Sequence, residues 1–198
     1  MSQNAAPTVQ VDPVLVRRAR EGDPPAVEAL AKAIYPLVRR WTLVRTGDPF
    51  DADDVTQEIL MQVVRKLESF EGRSRFTTWL YTVARNTHLD LQRAEHAHRR
   101  RVDAAGGVER SRPPGSVDPG DDIDRERSMA TLLRFVEVLP PRQREVFNLI
   151  DLEGYSAPEV AEMMEIEPVS VRANLFKART ALRARILADA SELTEELA

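Results

Sequence analysis

Apolar residues recur every three to four positions along most of this chain, and no stretch sustains the strict alternation of a half-buried strand. Asp12-Pro13 reads as an N-cap followed by proline at the first helical position, and opens a short helix to about Glu21. A second helix is expected from about Pro25 to Arg45, disturbed at Pro36, which cannot donate to the helical ladder. The acids of Asp51–Asp54 suit the positive end of a third helix running to about Glu68. The loop Ser69-Phe70-Glu71-Gly72-Arg73 then leads into a long fourth helix, from about Ser74 to Arg101. Beyond a break, the period returns with helices expected near 124–138, 141–152, 156–166 and 168–188.

The break is a change of composition. Four of the eight glycines and three of the thirteen prolines fall within 106–120, a stretch without periodicity that reads as a flexible linker. The expected fold is therefore all-α, with two small helical domains, 11–102 and 124–190, joined by a flexible acidic linker over 103–123. Residues 1–10 read as a disordered N-terminus and 191–198 as an acidic tail. The absence of cysteine removes disulfides, thiolate zinc sites and a cysteine nucleophile. No apolar run of about 18 residues is present to insert into a membrane, and the first residues lack a signal peptide's basic start, so the chain reads as cytoplasmic.

Charge changes the picture only when read by segment. The 198 residues hold 28 Lys+Arg against 32 Asp+Glu, a net −4 that argues weakly against a nucleic-acid partner. Residues 65–101, however, carry nine bases against four acids, and 169–187 carry five bases and no acid. Residues 48–58 carry five acids and no base, and 103–126 carry seven acids against three bases.

Placed on a helical wheel, these segments become surfaces. Ser156-Ala157-Pro158-Glu159 has the spacing of a capping box, and the short helix it opens is followed by Ile166-Glu167-Pro168 and a longer basic helix, a helix-turn-helix pattern. The second domain thus reads as a four-helix domain ending in that motif. On its last helix Val171, Leu175, Ala178, Leu182 and Ile186 form the expected core stripe, with Arg172, Phe176, Arg179 and Arg183 on a neighbouring face and Ala173 and Lys177 further round. A basic face of this kind suits a major groove, where arginines pair with guanine edges or phosphates and Ala173 and Phe176 meet thymine methyls.

In the first domain, Val55, Ile59, Val63, Val64 and Leu67 are the expected buried side of the third helix. Asp54, Glu58, Met61 and Arg65 lie opposite, with Gln57 at the edge. Acids around an exposed methionine suit docking on a basic partner helix. As a calcium loop the segment fails, since position six from Asp51 is Thr56 and position twelve is Gln62. On the fourth helix Phe76, Leu80, Val83, Thr87 and Leu91 are the expected core. Trp79, Asn86, Asp90 and Arg93 form one flank and Tyr81, Arg85 and His88 another. Bases interleaved with aromatics and an amide suit unstacked single-stranded nucleic acid. His88, His96 and His98 do not share a face with a completing carboxylate, so neither a metal nor another cofactor is expected.

Together, DADDVTQEILMQVVRKLESFEGRSRFTTWLYTVARNTHLDLQR (51–93) and LPPRQREVFNLIDLEGYSAPEVAEMMEIEPVSVRANLFKARTALR (139–183) resemble the bacterial extracytoplasmic-function (ECF) sigma factors of the sigma-70 family, over about residues 11–188. The resemblance implies that 11–102 is region 2 and 124–190 region 4. It implies a non-enzymatic promoter-specificity subunit of RNA polymerase that recognises −10 and −35 elements and promotes DNA melting. Asp51, Asp54, Gln57, Glu58 and Met61 would dock on the clamp helices of the polymerase largest subunit, and region 4 on the flap of the second-largest. Phe70, Arg73, Arg85, Asn86, Asp90 and Arg93 would engage the melted −10 strand. Arg172, Ala173, Phe176, Lys177 and Arg179 would read the −35 duplex. The acidic linker would thread a channel built for nucleic acid, and an anti-sigma factor is an expected partner. Ala173, Asn174 and Asp90 depart from residues common in relatives, which bears on the bases read.

Two other classes compete. A stand-alone dimeric helix-turn-helix regulator would need no polymerase-docking face. A metal-dependent nuclease using Asp51, Asp53 and Asp54 would need acids converging from separate elements, whereas these begin one helix.

Overall fold

The computed structural model describes residues 11–47, 49–104, 136 and 138–196. Among these the secondary structure is helical throughout, and the chain divides into two compact units, one holding the described residues up to Ala104 and the other those from Val136. The expected linker 103–123 and the expected helix 124–138 lie almost wholly outside the described residues.

The first unit is built from α1 (Pro13–Arg20), α2 (Pro24–Thr46), α3 (Pro49–Lys66), a 3₁₀ turn (Leu67–Ser69) and α4 (Phe76–Ala104). Asp12 caps α1 by accepting the Val14 N–H at 2.8 Å, with Pro13 in the first turn as the sequence predicts. α2 is the central element: Leu30, Ile34, Leu37, Val38, Leu43 and Val44 are all buried, and both α1 and α3 pack on it. Pro36 lies inside this helix without ending it. Its ring is exposed, on the outer side of the helix away from the buried stripe of Leu30, Ile34, Leu37 and Val38. α2 ends at Gly47, whose φ of 76° is the left-handed conformation a helix C-cap favours, and whose N–H donates to the Leu43 carbonyl at 2.9 Å. α4 joins through Leu80, which is fully buried, and through Tyr81, whose ring meets Trp41 edge-on at 5.1 Å.

α3 turns a different face inward from the one its large apolar residues suggest. Ala52, Thr56, Ile59, Val63 and Leu67 are buried, whereas Val55 is half-buried and Val64 is 42% exposed. One small and one polar residue complete the stripe, on a helix that packs against both α2 and α4.

The second unit holds α5 (Pro141–Phe147), a π-turn (Asn148–Leu152), α6 (Ala157–Met164) and α7 (Pro168–Glu196). Sequence periodicity predicts one helix over 141–152. Its last five residues instead widen, with the Glu153 N–H donating to the Asn148 carbonyl five residues back at 3.0 Å. The capping box forms as expected: the Ser156 N–H donates to Glu159 Oε2 at 2.8 Å, and the Ser156 hydroxyl accepts from the Glu159 N–H. Leu149, Val160, Met163, Val171 and Ala178 are fully buried and hold α5, α6 and α7 together. α7 extends past the expected end near 188, with Arg185 and Asp189 paired one turn apart at 2.8 Å.

Candidate nucleic-acid and protein-docking surfaces

In the first unit, α3 presents Asp51, Asp54, Gln57 and Met61 to solvent, with Glu58 half-buried beside them. The side chain of Glu58 accepts from Gln62 Nε2 at 2.9 Å, which holds its carboxylate against the helix. Met61 is 46% exposed and its neighbour Val64 42%, so the acids frame a small apolar patch. Asp53 is turned the other way and accepts from Arg39 Nε of α2 at 2.8 Å. Asp53 thus ties α3 to α2, while Asp51 and Asp54 are exposed on the outer face.

The loop before α4 is tied down by aromatic rings. Phe70, Phe76 and Trp79 form a triad with centroids 5.4–5.7 Å apart. Trp79, named as a flank residue, is half-buried in this triad, as is Phe70. Gly72 has φ of 75°, and nothing lies within 4 Å of where a Cβ would project, so backbone conformation and not space requires glycine there. Arg73 is exposed and pairs with Glu71 at 2.6 Å. Along the same flank of α4, Asn86, Asp90 and Arg93 are exposed, with Arg93 donating to Asp90 at 2.9 Å.

The other flank of α4 is largely buried, with Arg85 its partly accessible member. Tyr81 and His88 are buried and Arg85 is half-buried, because this side faces α2. The Tyr81 hydroxyl lies 3.5 Å from Arg45 Nη2, and burial pushes the phenol's pKa up. The helical wheel places Tyr81, Arg85 and His88 together on one flank of a helix whose interleaved bases and aromatics suit single-stranded nucleic acid. Two of the three instead belong to a helix–helix interface, since an aromatic and a neutral imidazole are as suited to a core as to a base.

His88 makes a testable prediction. Burial, reinforced by the positive charge of Arg45, lowers its pKa from 6.5 to about 4, and neither ring nitrogen meets a hydrogen-bond partner among the described residues. Between those values the unfolded chain binds a proton that the folded one excludes. Stability is therefore complete above pH 6.5 and is lost as pH falls from about 6.5 towards 4. Solvent screening trims the effect to roughly 1–2 kcal/mol. Urea unfolding at pH 7 and pH 5 measures it, and His88→Leu is expected to flatten the difference.

In the second unit, α6, the turn and α7 form the helix-turn-helix. Glu165 turns the chain at φ 55°, a left-handed conformation held by the Ile166 N–H donating to the Ala161 carbonyl at 3.0 Å. α7 begins at Pro168, with the Ser170 and Val171 N–H groups both donating to the Glu167 carbonyl. Arg172, Ala173, Phe176 and Lys177 are exposed, Phe176 to 72%. So large an apolar ring left in solvent on a basic helix face marks a contact surface. Arg179 is exposed as well but is committed to Asp151 of the π-turn, with its Nε donating at 2.9 Å and its Nη2 completing a bidentate pair. That carboxylate raises the Arg179 pKa. Asp151 escaped the sequence analysis because 28 positions separate the pair and no periodicity connects them. The expected core stripe of α7 stops at Leu182, and Ile186 is 54% exposed.

Among the described residues no group of three or more His, Asp or Glu is placed to hold a metal ion, and no helix is long and apolar enough to cross a membrane.

Residues 30–98 match the family described as Sigma-70 region 2, and residues 129–182 that described as Sigma-70, region 4. The chain is 32% identical over 180 residues to the ECF RNA polymerase sigma-E factor of Escherichia coli (strain K12), a similarity covering 86% of this chain and 92% of that protein. It is 30% identical to the ECF RNA polymerase sigma-E factor of Haemophilus influenzae, covering 88% and 95% of the two chains. Two solved structures share the fold. CnrH in complex with the cytosolic domain of CnrY has a TM-score of 0.64 at 22% identity, over 89% of this chain and 97% of that one. The sigma factor RpoE in complex with the anti-sigma factor NepR, from Bartonella quintana, has a TM-score of 0.62 at 22% identity, over 82% and 97%. With both region matches in order on one chain and the curated relatives aligned along nearly their whole length, the chain belongs to the ECF RNA polymerase sigma factors of the sigma-70 family.

Proposed function

We propose that the two helical units divide the work of a promoter-specificity subunit, with 11–102 binding core RNA polymerase and the −10 element and 124–190 binding the −35 element. The observation that carries this reading is the presence on one chain of two unlike exposed faces. One is the acid-and-methionine face of α3, and the other is the basic face of α7 that leaves Arg172, Ala173, Phe176 and Lys177 open. A stand-alone helix-turn-helix regulator has a use for the second and none for the first.

Asp51, Asp54, Gln57, Glu58 and Met61 dock on the polymerase clamp helices, with carboxylates meeting basic groups around an apolar centre. Phe70, Arg73, Arg85, Asn86, Asp90 and Arg93 engage the melted −10 strand. Here the exposed amide of Asn86 hydrogen-bonds an unstacked base, and the bases attract phosphate. Arg172, Ala173, Phe176 and Lys177 read the −35 duplex, and Arg179, held by Asp151, faces the phosphate backbone. The segment 103–123 links the units. The 24 residues of 103–126 can span roughly 80 Å when extended. Two turns of DNA need about 70 Å. The subunit works in the cytoplasm, contributes binding without catalysis of its own, and is held inactive by an anti-sigma partner covering these same faces. The expectation of such a partner is supported by a neighbour of the same fold, the sigma factor RpoE, which is in complex with the anti-sigma factor NepR.

The experiment for the docking face replaces Asp54 and Glu58 together with Ala. Affinity for core polymerase is expected to fall about tenfold. Circular dichroism should be unchanged, since Asp54 is exposed and Glu58 half-buried. Parental core affinity in the double variant would remove this face from the proposal.

A further inference from the structure

The loop between the 3₁₀ turn and α4 is restrained from within by the aromatic triad. It is also restrained from outside. Arg20, the last residue of α1, donates from Nη1 to the Phe70 carbonyl at 3.1 Å, across 50 positions of sequence. The surrounding chemistry explains why this arginine is the one that bridges. The last turn of α1 carries Arg17, Arg18 and Arg20, where cations suit the negative end of the helix. Arg18 is spent on Asp23, with both of its bonds at 2.9 Å or shorter, and so closes the α1–α2 turn. Arg20 points to the loop instead.

We propose that Arg20 is a positioning residue for −10 recognition, fixing the Phe70 carbonyl so that Glu71–Arg73 meet an unstacked base at a constant height. This rests on the reading of the Phe70–Arg73 loop as part of the −10 site. The Phe70 N–H is already used in closing the 3₁₀ turn on the Leu67 carbonyl at 3.0 Å. The Arg20 bond therefore clamps the other side of the same peptide stretch. A charged donor on a carbonyl is a stronger tether than a neutral one. A recognition loop discriminates only as finely as its support holds it. Arg20 acts through backbone and touches no base.

The test uses the full chain bound to core polymerase. Fluorescent single-stranded oligonucleotides carry the −10 sequence of a promoter it initiates from, with all four bases placed in turn at each position. For Arg20→Ala, preference among the four bases at one −10 position is expected to fall about three- to tenfold. Core affinity, −35 duplex affinity and thermal midpoint should stay parental. A uniform loss across all oligonucleotides would overturn the proposal, because it would make Arg20 a phosphate contact. Unchanged preference in Arg20→Ala, with Arg73→Ala and Asn86→Ala both shifted, would overturn the Arg20 role alone. Unchanged preference in all three variants would overturn the −10 reading of the loop and helix, and the Arg20 role with it.

Discussion

Leu37→Ala is expected to lower the stability of the first unit by about 3–5 kcal/mol, the range for a large-to-small change at a site that cannot collapse. Leu37 is fully buried at the middle of α2, with Ile34 and Val38 at 1% exposure or less on either side. Because α1 and α3 both pack on α2, the cavity would be walled by several helices, and no single one can move in to fill it. A domain of this size has about 5–15 kcal/mol in total, so the variant should lose much of its cooperative unfolding transition near body temperature. Leu37→Met keeps the volume and should cost less than about 1.5 kcal/mol. Urea unfolding followed by Trp fluorescence reads both, since Trp41 and Trp79 lie in this unit. A Leu37→Ala midpoint equal to the parent's would mean that α2 is not the central element.

The second large effect is expected at the −35 duplex. Arg172→Ala should weaken binding of the cognate −35 element by about 10–100-fold, the worth of one well-placed base contact. Single-strand −10 capture should be unchanged. Asn86→Ala should do the reverse, impairing −10 capture and leaving the −35 duplex alone. Lys177→Ala should weaken the cognate −35 duplex as well, and the loss of one cation should reduce the slope of log affinity against log salt by about one. Arg179 is a different case because its bond to Asp151 ties α7 to the π-turn. Asp151→Ala frees the guanidinium without removing it, so comparing it with Arg179→Ala separates helix positioning from charge. Duplex titrations at several salt concentrations read all of these. Equal −35 affinity for Arg172→Ala and the parent would place the reading face elsewhere on α7.

How much of this was legible in the sequence depended on whether a feature was local. The N-caps were, because Asp12-Pro13 and Ser156–Glu159 act within one turn of themselves. The exposed faces of α3 and α7 were also legible, since charge repeating at helical spacing needs no partner to be read. Which apolar residues were buried was less so. Val64 and Ile186 look like core and are exposed, whereas Thr56 and His88 look polar and are buried, because neighbouring helices decide that. Pairs distant in sequence, Arg179 with Asp151 and Arg20 with the Phe70 carbonyl, leave no periodic trace. The net charge of −4 misled for a related reason: it sums surfaces that face different partners.

As an ECF sigma factor, the chain is expected to direct core RNA polymerase to promoters with two elements. The most direct measurement mixes the purified chain with core polymerase and a library of randomised promoters and sequences the run-off transcripts. Initiation is expected from templates sharing two short motifs about two helical turns apart, and is expected to be lost when either motif is scrambled. Stable DNA binding by the chain with no promoter-dependent initiation would contradict this expectation.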